Sequence, residues 1–451
     1  MALRFRIAWL LLAGLLALGG PPVATAGVFN PSTITLSNGL QVVVIENHRA
    51  PVVTHMIWYR VGAADEVPGK TGIAHFHEHL MFKGTKTVPP GGFSEMVARL
   101  GGNENAFTTQ DYTAFYQSVA VEHLEEMMKL EADRMQNLVL TDDVVLPERD
   151  VIIEERRQRV DNDPGAQLGE MMRASLFLNH PYRMPTIGWL QEMQHLTTAD
   201  AVAWHQKWYM PNNAIVVISG DVTMDQVRPL AEKYYGAIPA QPLAPRVRPD
   251  EPAQFAPRRV TMQDQRVQLA SWTRQYEAPS YHHGAKEHAY ALEVLSEILG
   301  GGTSSRLYRS LVVDQKLATG AGSNYDADNV DLSVFSLYAA AQSGAGAADT
   351  DKIEKAVDAE IGKLLKDGVT DDEVRRAKGV LLAEAVKARD SLAGPARIVG
   401  TALATGSTVD EIEGWPDRIG AVTVADVNAA AKAVFDIDYS VTGILLPQAG
   451  G

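Results

Sequence analysis

The order of strand-like and helix-like segments recurs in the two halves of this chain of 451 residues, and this repeat restricts the available folds. The first half is predicted to contain four strands and an amphipathic helix, at 33–36, 40–45, 52–61, 105–119 and 123–137. The second half repeats the order with a strand over 260–276, a helix over 285–299, a strand over 330–340 and a charged helical region over 349–390.

A proline-rich polar stretch separates the two halves, with Pro242, Pro245, Pro249 and Pro252 spaced through it. We therefore predict an α+β fold of two homologous α/β domains. Each is a mainly antiparallel sheet packed with helices, and the two are joined by the linker and enclose a chamber. The predicted ranges are 27–240 for the first domain, 241–257 for the linker and 258–451 for the second domain.

The first 26 residues have the pattern of a secretory signal peptide. Arg4 and Arg6 precede an apolar run over 8–18, and Ala24-Thr25-Ala26 supplies the small residues that a signal peptidase needs. An uncleaved membrane anchor is the alternative, but the run is shorter than the roughly 20 residues that span a bilayer. We expect export to the periplasm or secretion, with no membrane association after cleavage.

Charge and cysteine usage exclude several classes of protein. The formal net charge of −14 argues against a nucleic-acid partner. The chain has no cysteine, so disulfides, thiolate nucleophiles and cysteine metal ligands are all excluded. Any metal site must use His, Asp and Glu.

The pattern H-x-x-E-H at His75, Glu78 and His79 is the most specific feature of the sequence. On a helix, His79 lies about 40° from His75 and Glu78 about 60° to its other side, so the three share one face. Two imidazoles one turn apart can bind one zinc ion with a carboxylate beside them. His77 points away and is not expected to be a ligand; the alternative is an ordinary helix with three histidines.

A third ligand is expected in the segment PERDVIIEERR over 147–157, where Pro147 suits a first helical turn. Glu148 and Glu155 are seven residues apart and share a face, on which Val151 and Ile152 are also predicted, while Glu154, Arg156 and Arg157 would face outward or sideways. Inward carboxylates are unfavourable unless a cation meets them. We favour Glu155 as the zinc ligand and Glu148 as a supporting carboxylate.

At these residues the chain resembles the insulinase and pitrilysin family of zinc metallopeptidases, and its short-chain branch in particular, which includes mitochondrial processing peptidase and bacterial relatives. The segments that carry the resemblance are GIAHFHEHLMFKGT over 72–85, GGNENAFT over 101–108, ERDVIIEE over 148–155, YMPNN over 209–213, Gly220-Asp221 and GGTSSRLY over 301–308.

The resemblance implies one Zn²⁺ per chain held by His75, His79 and Glu155, with Glu78 as general base for hydrolysis of a peptide bond. It also implies that Asn105 and Ala106 pair with the backbone of an extended peptide substrate. Addition of a peptide to an edge strand agrees with this role. The alternative for Asn105 is a simple turn residue before a strand.

The chain departs from the family at one pair of positions. Active members carry an Arg and a Tyr seven residues apart in the second domain, and the matching positions here are Val312 and Thr319. Arg306 and Tyr308 belong to the preceding helix and are expected to be structural. We therefore predict a hetero-oligomer in which a paralogous peptidase subunit supplies the Arg and Tyr. A homodimer that is active alone and a non-catalytic structural subunit are the alternatives.

Overall fold

The structure is a computed structural model that describes residues 27–243 and 245–448. The predicted signal peptide, residues 1–26, lies outside the described residues. Within the two described ranges, every helix is too short or too polar to cross a lipid bilayer.

The described residues form eleven strands and fifteen α-helices. The strands are β1 Ser32–Thr35, β2 Gln41–Glu46, β3 Val52–Tyr59, β4 Asn103–Thr108, β5 Thr113–Ala120, β6 Ala214–Gly220, β7 Arg258–Asp264, β8 Ser271–Ala278, β9 Ala318–Tyr325, β10 Ser333–Ala341 and β11 Ser440–Pro447. The helices are α1 Ile73–Leu80, α2 Gly92–Arg99, α3 Leu124–Asn137, α4 Asp142–Arg156, α5 Pro164–Leu176, α6 Leu190–Met193, α7 Thr198–Trp208, α8 Met224–Tyr234, α9 Ala289–Gly300, α10 Ala347–Asp367, α11 Asp371–Asp390, α12 Gly394–Thr405, α13 Val409–Glu413, α14 Trp415–Ala421 and α15 Val424–Val434.

The strands form two sheets of matching topology. The first has the order β1-β2-β6-β3-β5-β4 and the second the order β7-β11-β8-β10-β9. The pairs β2–β6 and β7–β11 are parallel, and every other pair is antiparallel. The predicted fold class, two related domains with mainly antiparallel sheets and packed helices, is confirmed.

Burial explains which strands are central. All seven residues of β6 are buried, because helices cover both faces of the first sheet at this point. By contrast, β4 is made of exposed and half-buried residues and has β5 as its neighbour on one side alone within the described residues. A polar edge strand of this kind leaves backbone hydrogen-bonding groups available for a ligand.

Each half of the chain contributes a helix to the sheet of the other half. From the second half, α12 places Ala396 and Val399 against the buried Trp58 of β3. From the first half, α5 places Leu168 and Met172 against Val441 of β11. These exchanged helices join the two domains into one packed unit.

The proline-rich stretch adds an ionic connection between the domains. Arg248 Nη1 donates to Asp111 Oδ1 of the first domain at 2.5 Å and to Asp331 Oδ2 of the second at 2.7 Å. Asp65 also lies within 3.3 Å of Arg248 Nη2. Because Arg248 is largely buried, loss of a partner would leave a desolvated charge.

Two predicted strands are wrong in their extent. The stretch 105–119 is a hairpin of β4 and β5, because the chain reverses at 109–112, where Thr109 N–H donates to Tyr112 O. The stretch 260–276 contains β7 and β8, which do not pair with each other because β11 lies between them. Polar and apolar residues alternate through both stretches, so this alternation alone does not show where the strands end.

Candidate metal centre

Helix α1 presents the H-x-x-E-H residues toward a cavity. It begins after Gly72, whose φ of 88° is one that glycine adopts without strain, and Glu66 accepts the N–H groups of Gly72 and Ala74 at 2.9 Å each. Its apolar side, including Phe76, packs into the first core. His77 lies on that side, fully buried, with Nε2 at 3.0 Å from His205 Nδ1.

Three potential metal ligands converge beside α1. A ligand atom from each of His75, His79 and Glu155 lies within 4.8 Å of the others. Glu155 Oε2 is 3.5 Å from His75 Nε2 and 3.3 Å from His79 Nε2. Zinc bonds of about 2.0–2.1 Å in tetrahedral geometry separate ligand atoms by about 3.3–3.4 Å.

The donor set therefore fits zinc in both chemistry and spacing. Glu155 Oε2 is buried and has no geometrically good hydrogen bond within the described residues, as expected for an atom reserved for a metal. Two imidazole nitrogens and one carboxylate oxygen are also the donors that catalytic zinc sites use.

Glu148 contacts the ring nitrogen of His79 that faces away from the other two candidate ligands. Its Oε1 lies 2.9 Å from His79 Nδ1 and its Oε2 is 2.5 Å from Lys83 Nζ. A carboxylate on Nδ1 orients the ring so that Nε2 faces the other ligands. His75 has no equivalent partner in the described chain, since its Nδ1 is buried without a hydrogen bond.

The carboxylates and imidazoles of the cluster shift one another's pKa values. Burial alone would lower the pKa of His79, but the hydrogen bond with Glu148 and the close contact with the Glu155 carboxylate outweigh burial and raise the pKa to about 9. The close approach of His79 Nε2 to Glu155 Oε2, at 3.3 Å, lowers the pKa of Glu155 to about 2. Burial and the neighbouring His79 lower the pKa of His75 to about 4, so its ring is neutral at physiological pH.

Helix α4 carries Glu148 and Glu155 but differs from its sequence-based description. It begins at Asp142, so Pro147 lies in the helix interior rather than in its first turn. Val151 is 49% exposed, whereas Ile152 is fully buried. Arg156 is buried, not outward, because Glu170 and the carbonyl of Gly188 accept its guanidinium hydrogens.

Glu78 has a partner that the sequence did not reveal. Thr108 Oγ1, on the edge strand β4, donates to Glu78 Oε2 at 2.5 Å. Burial raises the pKa of Glu78, and the hydrogen bond from Thr108 opposes that rise. Thr108 lies two residues beyond Ala106, so the two side chains point to the same face of β4. This periodicity predicts the contact of Thr108 with Glu78 only once β4 is known to lie beside α1.

Asn105 and Ala106 lie on β4 at the rim of the same cavity. The N–H of Ala106 is accepted by the Asn105 side chain at 2.8 Å, so a substrate strand would have to replace that contact. Ala106 packs against the first core, and Asn105 is exposed.

The cavity containing these groups has a volume of about 890 Å³ and lies between the domains. The first domain provides the candidate zinc ligands, Asn105 and one face of α5, and the second provides Asp326, Asp328 and Asn329. Its size suits a short stretch of extended peptide.

The two positions of the absent Arg/Tyr pair lie elsewhere. Val312 belongs to a π-helical segment, Tyr308–Asp314, and packs against the second core, while Thr319 is on β9. Neither is among the residues that line the cavity in the described ranges. Arg306 is bound to Glu373 at 2.7 Å, a structural contact.

Comparisons with known families match most of the chain. Residues 41–188 match the family described as "Insulinase (Peptidase family M16)", and residues 195–381 match "Peptidase M16 inactive domain". The second match begins beyond His75, His79 and Glu155 and contains none of these candidate ligands.

Relatives of similar length are named zinc proteases. The chain is 31% identical to a protein of Helicobacter pylori named zinc protease PqqE over 96% of each chain. It is 32% identical to an uncharacterized zinc protease of Mycobacterium leprae over 92% of this chain and 91% of the relative. A crystal structure of a protease from Helicobacter pylori superimposes with a TM-score of 0.85 at 31% identity, over 92% of this chain and 99% of that chain.

Proposed function

The chain belongs to the insulinase family of metallopeptidases, peptidase family M16, and on this basis we propose that it is a zinc-dependent endopeptidase. The observation that carries the proposal is the convergence of His75, His79 and Glu155 next to Glu78 inside the cavity. The substrates are peptides or unfolded segments, since a cavity of about 890 Å³ excludes a folded domain.

His75, His79 and Glu155 would hold one zinc ion. When bound, zinc supplies Lewis acidity that lowers the pKa of a coordinated water and polarises a carbonyl. Glu78 takes up a proton from the attacking water and returns it to the leaving amine. Thr108 donates to Oε2 of Glu78, so Oε1 is the oxygen without this hydrogen bond and the better placed to accept the proton.

The substrate lies along the open edge of β4, with its backbone paired to Asn105 and Ala106. Backbone pairing of this kind accepts many sequences, because the hydrogen bonds do not involve the substrate side chains. Support for this role comes from the edge position of β4 and from its contact with Glu78 through Thr108.

The active form we propose is a hetero-oligomer in which a paralogous subunit supplies an arginine and a tyrosine. Val312 and Thr319 offer neither a cation nor a phenol, and both lie outside the cavity lining in the described chain. A cation and a phenol from a partner would stabilise the developing oxyanion or hold the substrate.

The test is hydrolysis of a quenched, unstructured peptide by this chain alone and by its mixture with a paralogue that carries the Arg/Tyr pair. Activity in the mixture alone, abolished by Glu78→Gln in this chain, is the expected result. Equal activity of the chain alone would instead establish the homodimeric or monomeric peptidase. Full biological function of the Glu78→Gln chain would establish a structural subunit.

We also propose that the protein acts in the periplasm or outside the cell, on the basis of the pattern in residues 1–26. Fractionation of cells that express the full chain should recover a shortened protein in the periplasm or the medium. Recovery of full-length protein in the membrane fraction would contradict this location.

A further inference from the structure

One face of helix α5 lines the cavity that contains the candidate zinc ligands, although the proposed reaction uses none of its residues. Ala166, Gly169, Glu170 and Arg173 follow an i, i+3, i+4, i+7 pattern, so they share one face of the helix, and all four border the cavity. The other side of α5 packs against the second sheet, as described above. The helix is thus held between the domains, and the direction of its cavity-facing side is fixed.

Among the described residues, Arg173 has no partner for its charge. Glu170, one turn before it, is taken by Arg156 through contacts of 2.7 and 2.8 Å. Within residues 27–243 and 245–448, each of the other arginines that is not exposed donates to a protein oxygen, whereas Arg173 donates to none. Burial lowers the pKa of Arg173, which reflects a charge partly removed from water without compensation.

The space beside Arg173 is open to a ligand. A Cβ atom added to Gly169 would meet no other atom within 4 Å, and Ala166 is also small. A peptide can therefore approach this face of α5 and bring an acceptor to the guanidinium. A carboxylate fits best, because its two oxygens match the paired N–H groups of arginine and neutralise the charge.

On the basis of the proposed peptidase function, we infer that Arg173 is a specificity residue that binds a carboxylate of the peptide substrate. The carboxylate belongs either to the C-terminus of the peptide or to an Asp or Glu side chain. Such a contact anchors the peptide in the cavity that also contains the metal cluster and the edge strand.

The experiment measures binding of four versions of one peptide to the Glu78→Gln chain, in the assembly that hydrolyses peptides when Glu78 is present. The peptides have a free or amidated C-terminus, combined with an internal Glu or Gln. We expect the doubly neutral peptide to bind about tenfold more weakly than the carboxylate-bearing one, as for loss of a hydrogen bond between charged groups. The modification that causes the loss identifies the source of the carboxylate.

Variants of the protein provide the second arm. Arg173→Gln should weaken binding of the carboxylate-bearing peptide about tenfold and leave the neutral peptide unchanged, with Arg173→Lys intermediate. Arg157→Gln is the matched control, because Arg157 directly follows the end of α4, is exposed and is paired with Glu154.

Equal affinities for all four peptides, with hydrolysis intact in the wild-type chain, would overturn the role of Arg173 and leave the peptidase function standing. Since this comparison uses unaltered Arg173, it does not depend on the folding of a variant. Absence of both binding and hydrolysis for every peptide would overturn the peptidase function, and the role of Arg173 with it.

Discussion

The substitution Gly400→Ala tests the exchange of helices between the domains. Gly400 lies in the middle of α12, and a Cβ atom added there would be 2.1 Å from Cε2 and Nε1 of the Trp58 ring. Trp58 is fully buried and is flanked by Phe107 and Tyr112, with ring centroids at 5.5 and 5.2 Å. The indole can therefore move aside only by displacing packed neighbours.

The expected magnitude follows from a matched comparison with Gly379→Ala. Gly379 is an exposed glycine in the middle of α11, and a Cβ atom there would meet nothing within 4 Å. Both substitutions gain about 1 kcal/mol of helix propensity, but overpacking against Trp58 costs about 1–3 kcal/mol. Gly379→Ala should stabilise the protein, and Gly400→Ala should be about 1–3 kcal/mol less stable than that control.

Urea unfolding followed by tryptophan fluorescence measures the two free energies of unfolding. The slope with denaturant should match between the variants, so that the midpoints report stability alone. If Gly400→Ala raised the midpoint as much as Gly379→Ala, α12 could not pack against Trp58 as described, and the exchange of helices would be refuted.

Three further substitutions test the metal centre and an ion pair. Glu148→Gln should weaken zinc affinity about 10–100-fold, measured by chelator competition, whereas Glu154→Gln, exposed on the same helix, should not. Thr108→Val should lower kcat about tenfold with zinc content unchanged, because the carboxylate of the candidate base Glu78 loses the hydrogen bond that holds it in position. An unchanged kcat would refute this positioning role of Thr108. Burial raises the pKa of Glu373, but hydrogen bonds led by that from Arg306 lower it to about 2, so its stabilising contribution is present above the unfolded pKa of about 4.3 and lost as the pH falls toward 2. Between pH 5 and pH 3, Arg306→Met should therefore lose about 1 kcal/mol less stability than the wild type in urea unfolding, and an equal loss would contradict the assignment.

Features that depend on neighbours along the chain could be predicted from the sequence. The shared face of His75, Glu78 and His79 follows from helical periodicity alone, and their positions on α1 agree with it. The repeated order of elements likewise indicated two related domains, since each domain forms from contiguous sequence apart from the exchanged helices.

Features that depend on distant contacts could not be predicted. Helical periodicity places Arg156 outward or sideways, but it is buried because Glu170 and Gly188, which are distant in sequence, accept its hydrogen bonds. Thr108 reaches Glu78 across 30 positions of the chain, through the pairing of strands that the sequence does not display. Pro147 lies in the helix interior because α4 begins earlier, at Asp142. The proline by itself does not show where the helix begins.

The most direct test of the central claim is the zinc content of the purified chain by native mass spectrometry. We predict one zinc ion per wild-type chain, retained in Glu78→Gln and in the exposed control Glu154→Gln, and lost in Glu155→Gln, because Glu155 Oε2 faces both imidazole Nε2 atoms. A wild-type chain that binds no zinc, or a Glu155→Gln chain that holds zinc as tightly as the wild type, would contradict the metal centre described here.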